Sequence, residues 1–238
     1  MNKAHEALAQ ALAAAQANHA PLPEIEAALT LDEAYAVQHQ LVALRSPGAT
    51  GGIKIGVTTR AAQTHFGLDH ALLGGLYADG RLASGTDLPY LEGRSLESEF
   101  AVIVDAGGEP KAIAPAIEIV YVKFARQTDM TAANLTAGNL GADLFLVGEF
   151  LPWDSPHENA SVTLRRDGEM INEASMNDAL GGPTSAINWL AEEARQRGYT
   201  LEDDTLVMMG ACGAVVPASK GSYEADYGAM GRVAFTIT

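Results

Sequence analysis

Three glutamates carry most of the chemistry this sequence offers. Glu97 and Glu99 stand two residues apart at the start of Arg94-Ser95-Leu96-Glu97-Ser98-Glu99-Phe100-Ala101-Val102-Ile103-Val104, a run that reads as a strand. Strand side chains alternate between faces, so both carboxylates point the same way as close neighbours. From Phe100 to Val104 both faces are apolar, which predicts a strand covered on both sides. Like charges at the edge of such a core repel each other and lose water, and a cation between them would relieve both. Glu118 lies in the middle of Ala116-Ile117-Glu118-Ile119-Val120-Tyr121-Val122, a short β-branched strand. An ionised carboxylate there costs several kcal/mol unless it is paired. Three carboxylates from two neighbouring strands form an all-oxygen donor set, which suits Mg²⁺ or Mn²⁺ with positions left for water or a chelating substrate. The alternative is structural: a solvated strand end at Glu97 and Glu99, and Glu118 paired with Lys123 or an arginine.

The elements that would position these acids are short strands preceded by two helices. Lys3 to Asn18 is alanine-rich, with Leu8, Leu12 and Ala15 on one stripe, and Pro21 and Pro23 end it. Thr30 with Glu33 forms a capping box that opens a second helix, with Ala34, Val37, Leu41 and Leu44 on its buried face. From Gly51 the pattern changes to strands and glycine turns. Gly52 to Val57 predicts a strand with Ile53, Ile55 and Val57 on one face and Lys54 on the other. The glycines beside Lys54 would let a ligand approach the backbone, although the stretch alone reads as an ordinary exposed lysine on a strand. Ala61 to Phe66 predicts a short helix, and Asp79 before Gly80 is most simply a turn residue. Thr131 to Gly141 reads as a loop or weak helix, and Asp143 to Gly148 as a strand. Arg166-Asp167-Gly168 joins a hairpin, and Pro183 opens a helix that ends before Gly198. Four closing strands follow between Thr205 and Ile237. The whole is an α+β chain with a large mixed sheet, one domain over 1–238 with a helical portion over 1–46 and a sheet body over 47–238.

Composition narrows the partners. Thirty acids against fifteen Lys and Arg give a net charge of −15, which argues against nucleic acid or an anionic membrane. The single cysteine, Cys212, excludes an intrachain disulfide framework and fits the cytoplasm. No stretch approaches the ~20 apolar residues of a membrane span, and the alanine-rich start lacks the basic leader of a signal peptide. Cys212 reads as a buried thiol rather than a nucleophile, because no histidine is placed near it by any pattern. The six histidines show no zinc-hydrolase spacing, and Trp153 and Trp189 read as core or interface residues.

The order of segments adds a resemblance. Gly52-Ile53-Lys54-Ile55-Gly56-Val57-Thr58, then Gly74-Gly75-Leu76-Tyr77-Ala78-Asp79, then Glu97 and Glu99 opening a strand, then Pro115-Ala116-Ile117-Glu118-Ile119-Val120 resemble the 2-keto-4-pentenoate hydratase family. That family lies in the fumarylacetoacetate hydrolase superfamily and includes the related 4-oxalocrotonate decarboxylases. The similarity runs on through Gly182 to Ala191 and to Gly231-Arg232-Val233-Ala234-Phe235, so it covers most of the chain from about Ala34.

The resemblance implies a mixed β-roll with an N-terminal helical portion, assembled as a homo-oligomer. It implies that Glu97, Glu99 and Glu118 bind Mg²⁺ or Mn²⁺, and that Lys54 holds or polarises the substrate. Asp79 would be an acid–base group near Lys54, and Thr58 would line the same pocket. The implied activity is that of a metal-dependent lyase on a small 2-oxo or 2-hydroxydienoic acid. Chelation of the acid would stabilise an enolate. Hydration is the expected reaction; decarboxylation of an oxalocrotonate-type acid or hydrolysis of a diketo acid are the alternatives within that chemistry. A binding or assembly subunit without turnover is the alternative from another class. This chain also departs from the family pattern. Ala137-Gly138-Asn139-Leu140-Gly141 replaces Ala-Asp-Asn-x-Ser, Val122-Lys123 replaces a Ser-Arg pair, and Ala174-Ser175-Met176-Asn177 replaces a glycine-rich loop. The connection from Glu99 to Glu118 is also shorter. The metal ligands are kept and the pocket wall is changed.

Overall fold

The computed structural model describes residues 2–155, 157 and 159–238. Two helices open the chain, α1 (Lys3–Ala17) and α2 (Leu31–Arg45). Thr30 caps α2 with both halves of the capping box formed, its side chain accepting from Glu33 N–H while Glu33 accepts from Thr30 N–H. The two helices pack on each other through Ala9, Leu12, Ala34, Val37 and Leu41.

The body follows as β1 (Thr50–Gly56), α3 (Arg60–Phe66), β2 (Leu72–Tyr77), β3 (Arg81–Leu82), β4 (Asp87–Leu88), β5 (Arg94–Val104) and β6 (Pro110–Tyr121). Then come α4 (Ala132–Ala137), β7 (Ala142–Val147), β8 (Leu151–Pro152), β9 (Ser161–Arg166), β10 (Glu169–Ser175) and α5 (Pro183–Gln196). The chain closes with β11 (Thr205–Met208), β12 (Val216–Pro217), β13 (Gly221–Asp226) and β14 (Arg232–Ile237). The expected hairpin is β9–β10, and Asp167 and Gly168 at its tip both have positive φ, 51° and 83°. The stretch read as a loop or weak helix folds as α4 followed by a 3₁₀ turn, Asn139–Gly141.

Among the described residues the strands form two sheets. The larger has the order β2-β1-β11-β5-β6-β7-β3, with β12 added beside β5 and β8 beside β6. It is mixed: β1 runs parallel to β11 and β3 to β7, and the other pairs are antiparallel. β2 also touches β7, although β1, β11, β5 and β6 lie between them in the ladder, so the sheet curls into a roll. The smaller sheet, β10-β9-β13-β14-β4, packs on the outside of that roll.

The two faces of the roll have different contents, and register explains why. Ile53, Ile55, Leu96, Phe100, Val102, Ile117, Ile119 and Val207 face outward into the main core, which they share with Leu164, Tyr223, Phe235 and α5. The alternate residues face inward, where Leu76, Ala101, Ala116, Phe145, Leu206 and Met208 form a second apolar cluster. No helix among the described residues is long and apolar enough to cross a membrane.

Candidate active site

Residues in register across a sheet point to the same side. Lys54 lies opposite Met208, Met208 opposite Ala101, and Ala101 shares its face with Glu99 and Glu97. Glu97 in turn lies directly opposite Glu118. Four non-contiguous positions therefore converge on the inner face of the roll. Carboxylate oxygens of Glu97, Glu99 and Glu118 come within 4.8 Å of one another, as the sequence pattern required. Like charges so close on facing strands are destabilising.

Two partners neutralise part of this charge. Lys54 Nζ donates to Glu118 Oε1 at 2.5 Å and to the Leu140 carbonyl at 3.3 Å. The N–H of Gly210 donates to Glu99 Oε2 at 2.9 Å. Glu99 Oε1 and Glu118 Oε2 remain buried without a hydrogen-bond partner among the described residues. Buried acceptors left unsatisfied are costly and call for a ligand. An all-oxygen set with two unpartnered carboxylate oxygens fits a hard divalent cation.

Electrostatics follow from burial. Burial pushes the Glu118 carboxyl up to about 7; Lys54 pulls it down and Glu97 adds to the rise. Burial, then Glu118 and Glu97, hold the Glu99 carboxyl well above the usual range. Burial alone would depress Lys54, but the charges of Glu118, Glu97 and Glu99 outweigh it and keep the ammonium protonated.

A cavity of about 300 Å³ opens from the half-buried Glu97. Its lining includes the polar side chains of Lys54, Thr58, Thr59 and Ser95 and apolar ones such as Val57, Phe66, Val122, Met130, Leu135 and Leu140. Val122 and Leu140 both come from stretches that depart from the family pattern. Thr58 is buried and presses on Gly210, where φ is +100° and an added Cβ would stand 2.2 Å from Thr58 Cγ2.

Four sequence expectations need correction. Lys54 is not an ordinary exposed lysine: it is 2% exposed, because its face of β1 is the inside of the roll. Val57 leaves the face of Ile53 and Ile55, since β1 ends at Gly56 and a φ of 56° turns Val57 toward the cavity. Asp79 does not join Lys54. Lys54 pairs with Gly74, whereas Asp79 is exposed in the 3₁₀ turn Ala78–Gly80 beyond the end of β2 and does not line the cavity. The partner of Glu118 is likewise Lys54, not Lys123 or an arginine.

Sequence reasoning missed the backbone groups of the site. Asn139 and Leu140 both adopt left-handed φ, 56° and 52°, which aims the Leu140 carbonyl at Lys54. Asn139 holds that turn by donating to the Gly75 carbonyl and accepting from Gly75 N–H, at 2.7 and 2.8 Å. The glycine-flanked, asparagine-centred run 137–141 was the only trace of it in the sequence. Cys212 is buried as expected, and burial pushes its thiol up, out of reactive range.

No family model matches the chain. The chain is 30% identical over 224 residues to a 2-keto-4-pentenoate hydratase from Burkholderia vietnamiensis, covering 86% of this chain and 85% of that one. It is 27% identical over 228 residues to a 4-oxalocrotonate decarboxylase from Pseudomonas sp., covering 89% and 88%. Its fold is that of the 4-oxalocrotonate decarboxylase from Pseudomonas putida G7, solved with magnesium and adipate: the TM-score is 0.91 at 19% identity, over 100% of this chain and 98% of the other. With a roll of that kind, and 30% identity sustained over most of both sequences, the chain belongs to the 2-keto-4-pentenoate hydratase family.

Proposed function

We propose that Glu97, Glu99 and Glu118 hold Mg²⁺ or Mn²⁺ and that the protein is a metal-dependent lyase of small 2-oxo and 2-hydroxydienoic acids, adding water to a 2-hydroxypenta-2,4-dienoate-type substrate. The observation that carries the reading is the pair of unpartnered buried oxygens, Glu99 Oε1 and Glu118 Oε2, within a cluster of three glutamates. A divalent cation supplies a Lewis acid there, which favours the enolate form of a 2-oxo acid.

The side chains of the chain itself do the rest. Lys54 has two of its three N–H groups engaged by Glu118 and Leu140, so the third can donate to a substrate oxygen in the cavity. Its positive charge favours negative charge developing on that oxygen. Thr58 offers a hydroxyl at the same end, and the apolar walls exclude bulk water from it. Asp79 has no part in this scheme. The protein is taken to work in the cytoplasm as a homo-oligomer with a small acid as its substrate.

Decarboxylation is the second reading, favoured by the comparable likeness to a decarboxylase. One assay separates the two. With Mn²⁺ and a 2-hydroxydienoate, hydration removes the ultraviolet absorbance of the diene without releasing CO₂, and EDTA stops it. Release of CO₂ from an oxalocrotonate-type acid in place of hydration establishes the second reading. A protein that binds Mn²⁺ and consumes neither substrate is not a lyase of this class.

A further inference from the structure

We propose that Gln16, in the last turn of α1, is a positioning residue: it sets the turn whose Leu140 carbonyl aims Lys54 into the cavity. The proposal rests on the reading of Lys54 above, as the group that donates to a substrate oxygen, and it gives the N-terminal helices a part in that role. The turn does not hold itself. Two consecutive non-glycine residues, Asn139 and Leu140, carry left-handed φ, a strained arrangement that lasts only where its surroundings over-determine it.

Those surroundings come from far along the chain. The Gly138 carbonyl closes the turn by accepting from Gly141 N–H at 3.2 Å, so Asn139 and Leu140 are the two residues that this bond brackets. The same carbonyl accepts from Gln16 Nε2 at 2.8 Å. At the other side of the amide, Gln16 Oε1 accepts from the Tyr77 hydroxyl at 2.5 Å. Gln16 is buried, and a buried amide bonded through both its oxygen and its nitrogen is held in one orientation.

Tyr77 ends β2, the strand that sets Gly74 opposite Lys54 and Gly75 against the side chain of Asn139. An added Cβ at Gly74 would stand 3.0 Å from Lys54 Cγ and 3.1 Å from Asn139 Oδ1, so strand, lysine and turn already touch there. One glutamine amide therefore fixes the separation between the strand that flanks Lys54 and the turn that receives its N–H. The end of α1 is itself pinned beside the turn. The His19 carbonyl accepts from the Tyr121 hydroxyl at 2.7 Å, and His19 Nε2 lies 3.2 Å from Asp143 Oδ1. Gln38 of α2 bridges the same two segments further from Leu140, donating to the carbonyls of Leu73 and Thr136 at 2.8 and 2.9 Å. Gln16 is thus the helical side chain that grips the turn next to Leu140.

A double-mutant cycle with Lys54 separates positioning from plain structural support. Gln16→Met keeps the length of the side chain and removes both bonds. Calorimetry on the full chain measures Mn²⁺ binding, and then binding of oxalate, which presents the paired oxygens of a 2-oxo acid enolate, to the Mn²⁺-loaded protein. Gln16→Met is expected to weaken oxalate ~10-fold and to leave Mn²⁺ affinity within ~2-fold. With Lys54→Ala already present, the same change should alter oxalate affinity by less than ~2-fold, because the group it acts through is gone. Gln16→Glu keeps the shape and the acceptor for Tyr77 but cannot donate to Gly138; it carries the same expectation and replaces Gln16→Met if that variant does not fold. Unchanged oxalate affinity in the folded variant, an equal loss with and without Lys54, or an equal loss of Mn²⁺ affinity overturns the proposal and leaves the metal-centre reading standing. Failure of the Mn²⁺-loaded wild-type protein to bind oxalate overturns both.

Discussion

Replacing Glu118 by glutamine separates the two roles of that side chain, a buried charge and a metal ligand. Glutamine keeps the shape and an Oε1 acceptor for Lys54, and it mimics the protonated acid. In the metal-free protein the Glu118 carboxyl is raised to about 7 from an ordinary 4.5, which amounts to about 3 kcal/mol. A raised carboxyl means that the folded state binds the proton more tightly than the unfolded state. Its stabilising contribution is complete below pH 4.5 and is lost as pH rises through 7. Metal-free wild-type protein should therefore lose about 3 kcal/mol from this group between pH 5 and pH 8. Glu118→Gln should match the wild type near pH 5 and exceed it by up to about 3 kcal/mol at pH 8. Removing the charge also eases Glu99, whose carboxyl Glu118 helps to push up, so the change has the same sign. Metal acts in the opposite direction and closes most of that gap at pH 8. At 100 times its Kd, Mn²⁺ stabilises the wild type by about 2.7 kcal/mol. The variant, with one of three carboxylate ligands gone, should lose ~100-fold or more in affinity and most of that gain. Urea denaturation at pH 5 and pH 8, with EDTA and with Mn²⁺, reads all four corners. An unchanged Mn²⁺ affinity in the variant would refute the metal site, and a metal-free variant several kcal/mol less stable at pH 8 would refute the electrostatic argument.

Three further substitutions probe the surroundings. Lys54→Ala should lower turnover by ~100-fold, while Mn²⁺ titration shows affinity held or tightened, because a cation has left the cluster; wild-type turnover would return Lys54 to a structural role. Gly210→Ala has no room beside Thr58 and a φ of +100°, so it should cost about 2–3 kcal/mol in denaturant unfolding and weaken Mn²⁺ binding by moving the N–H off Glu99; a fully stable variant with unchanged affinity would contradict the packing. Asp79→Asn should leave kcat and KM at wild-type values, and a large fall in kcat would bring Asp79 back into the reaction.

The local part of this protein was legible in its sequence. Alternation with period two placed Glu97 and Glu99 on one side of a strand, the Thr30–Glu33 box marked the start of α2, and Asp167-Gly168 marked the β9–β10 turn. These depend on neighbours a few residues away, and the chain states them directly. Burial of Lys54 depends on β1 lying parallel to β11 on the inside of a curled sheet, with its partners far apart in the chain. No pattern within β1 carries that information, so a lysine between isoleucines read as exposed. Asp79 failed for the converse reason: its closeness in sequence to β2 says nothing about which end of β1 that strand brings it to, and antiparallel register carries it past the end away from Lys54. The Leu140 carbonyl and the Gly210 N–H were equally hidden, since every residue has both groups and only the left-handed turn at Asn139–Leu140 and the crowded glycine beside Thr58 aim them. The sequence by itself determined which side chains could bind a cation. The tertiary structure alone decided that they meet, what neutralises them and which way the cavity runs, because convergence is a matter of strand register between segments that the chain keeps apart.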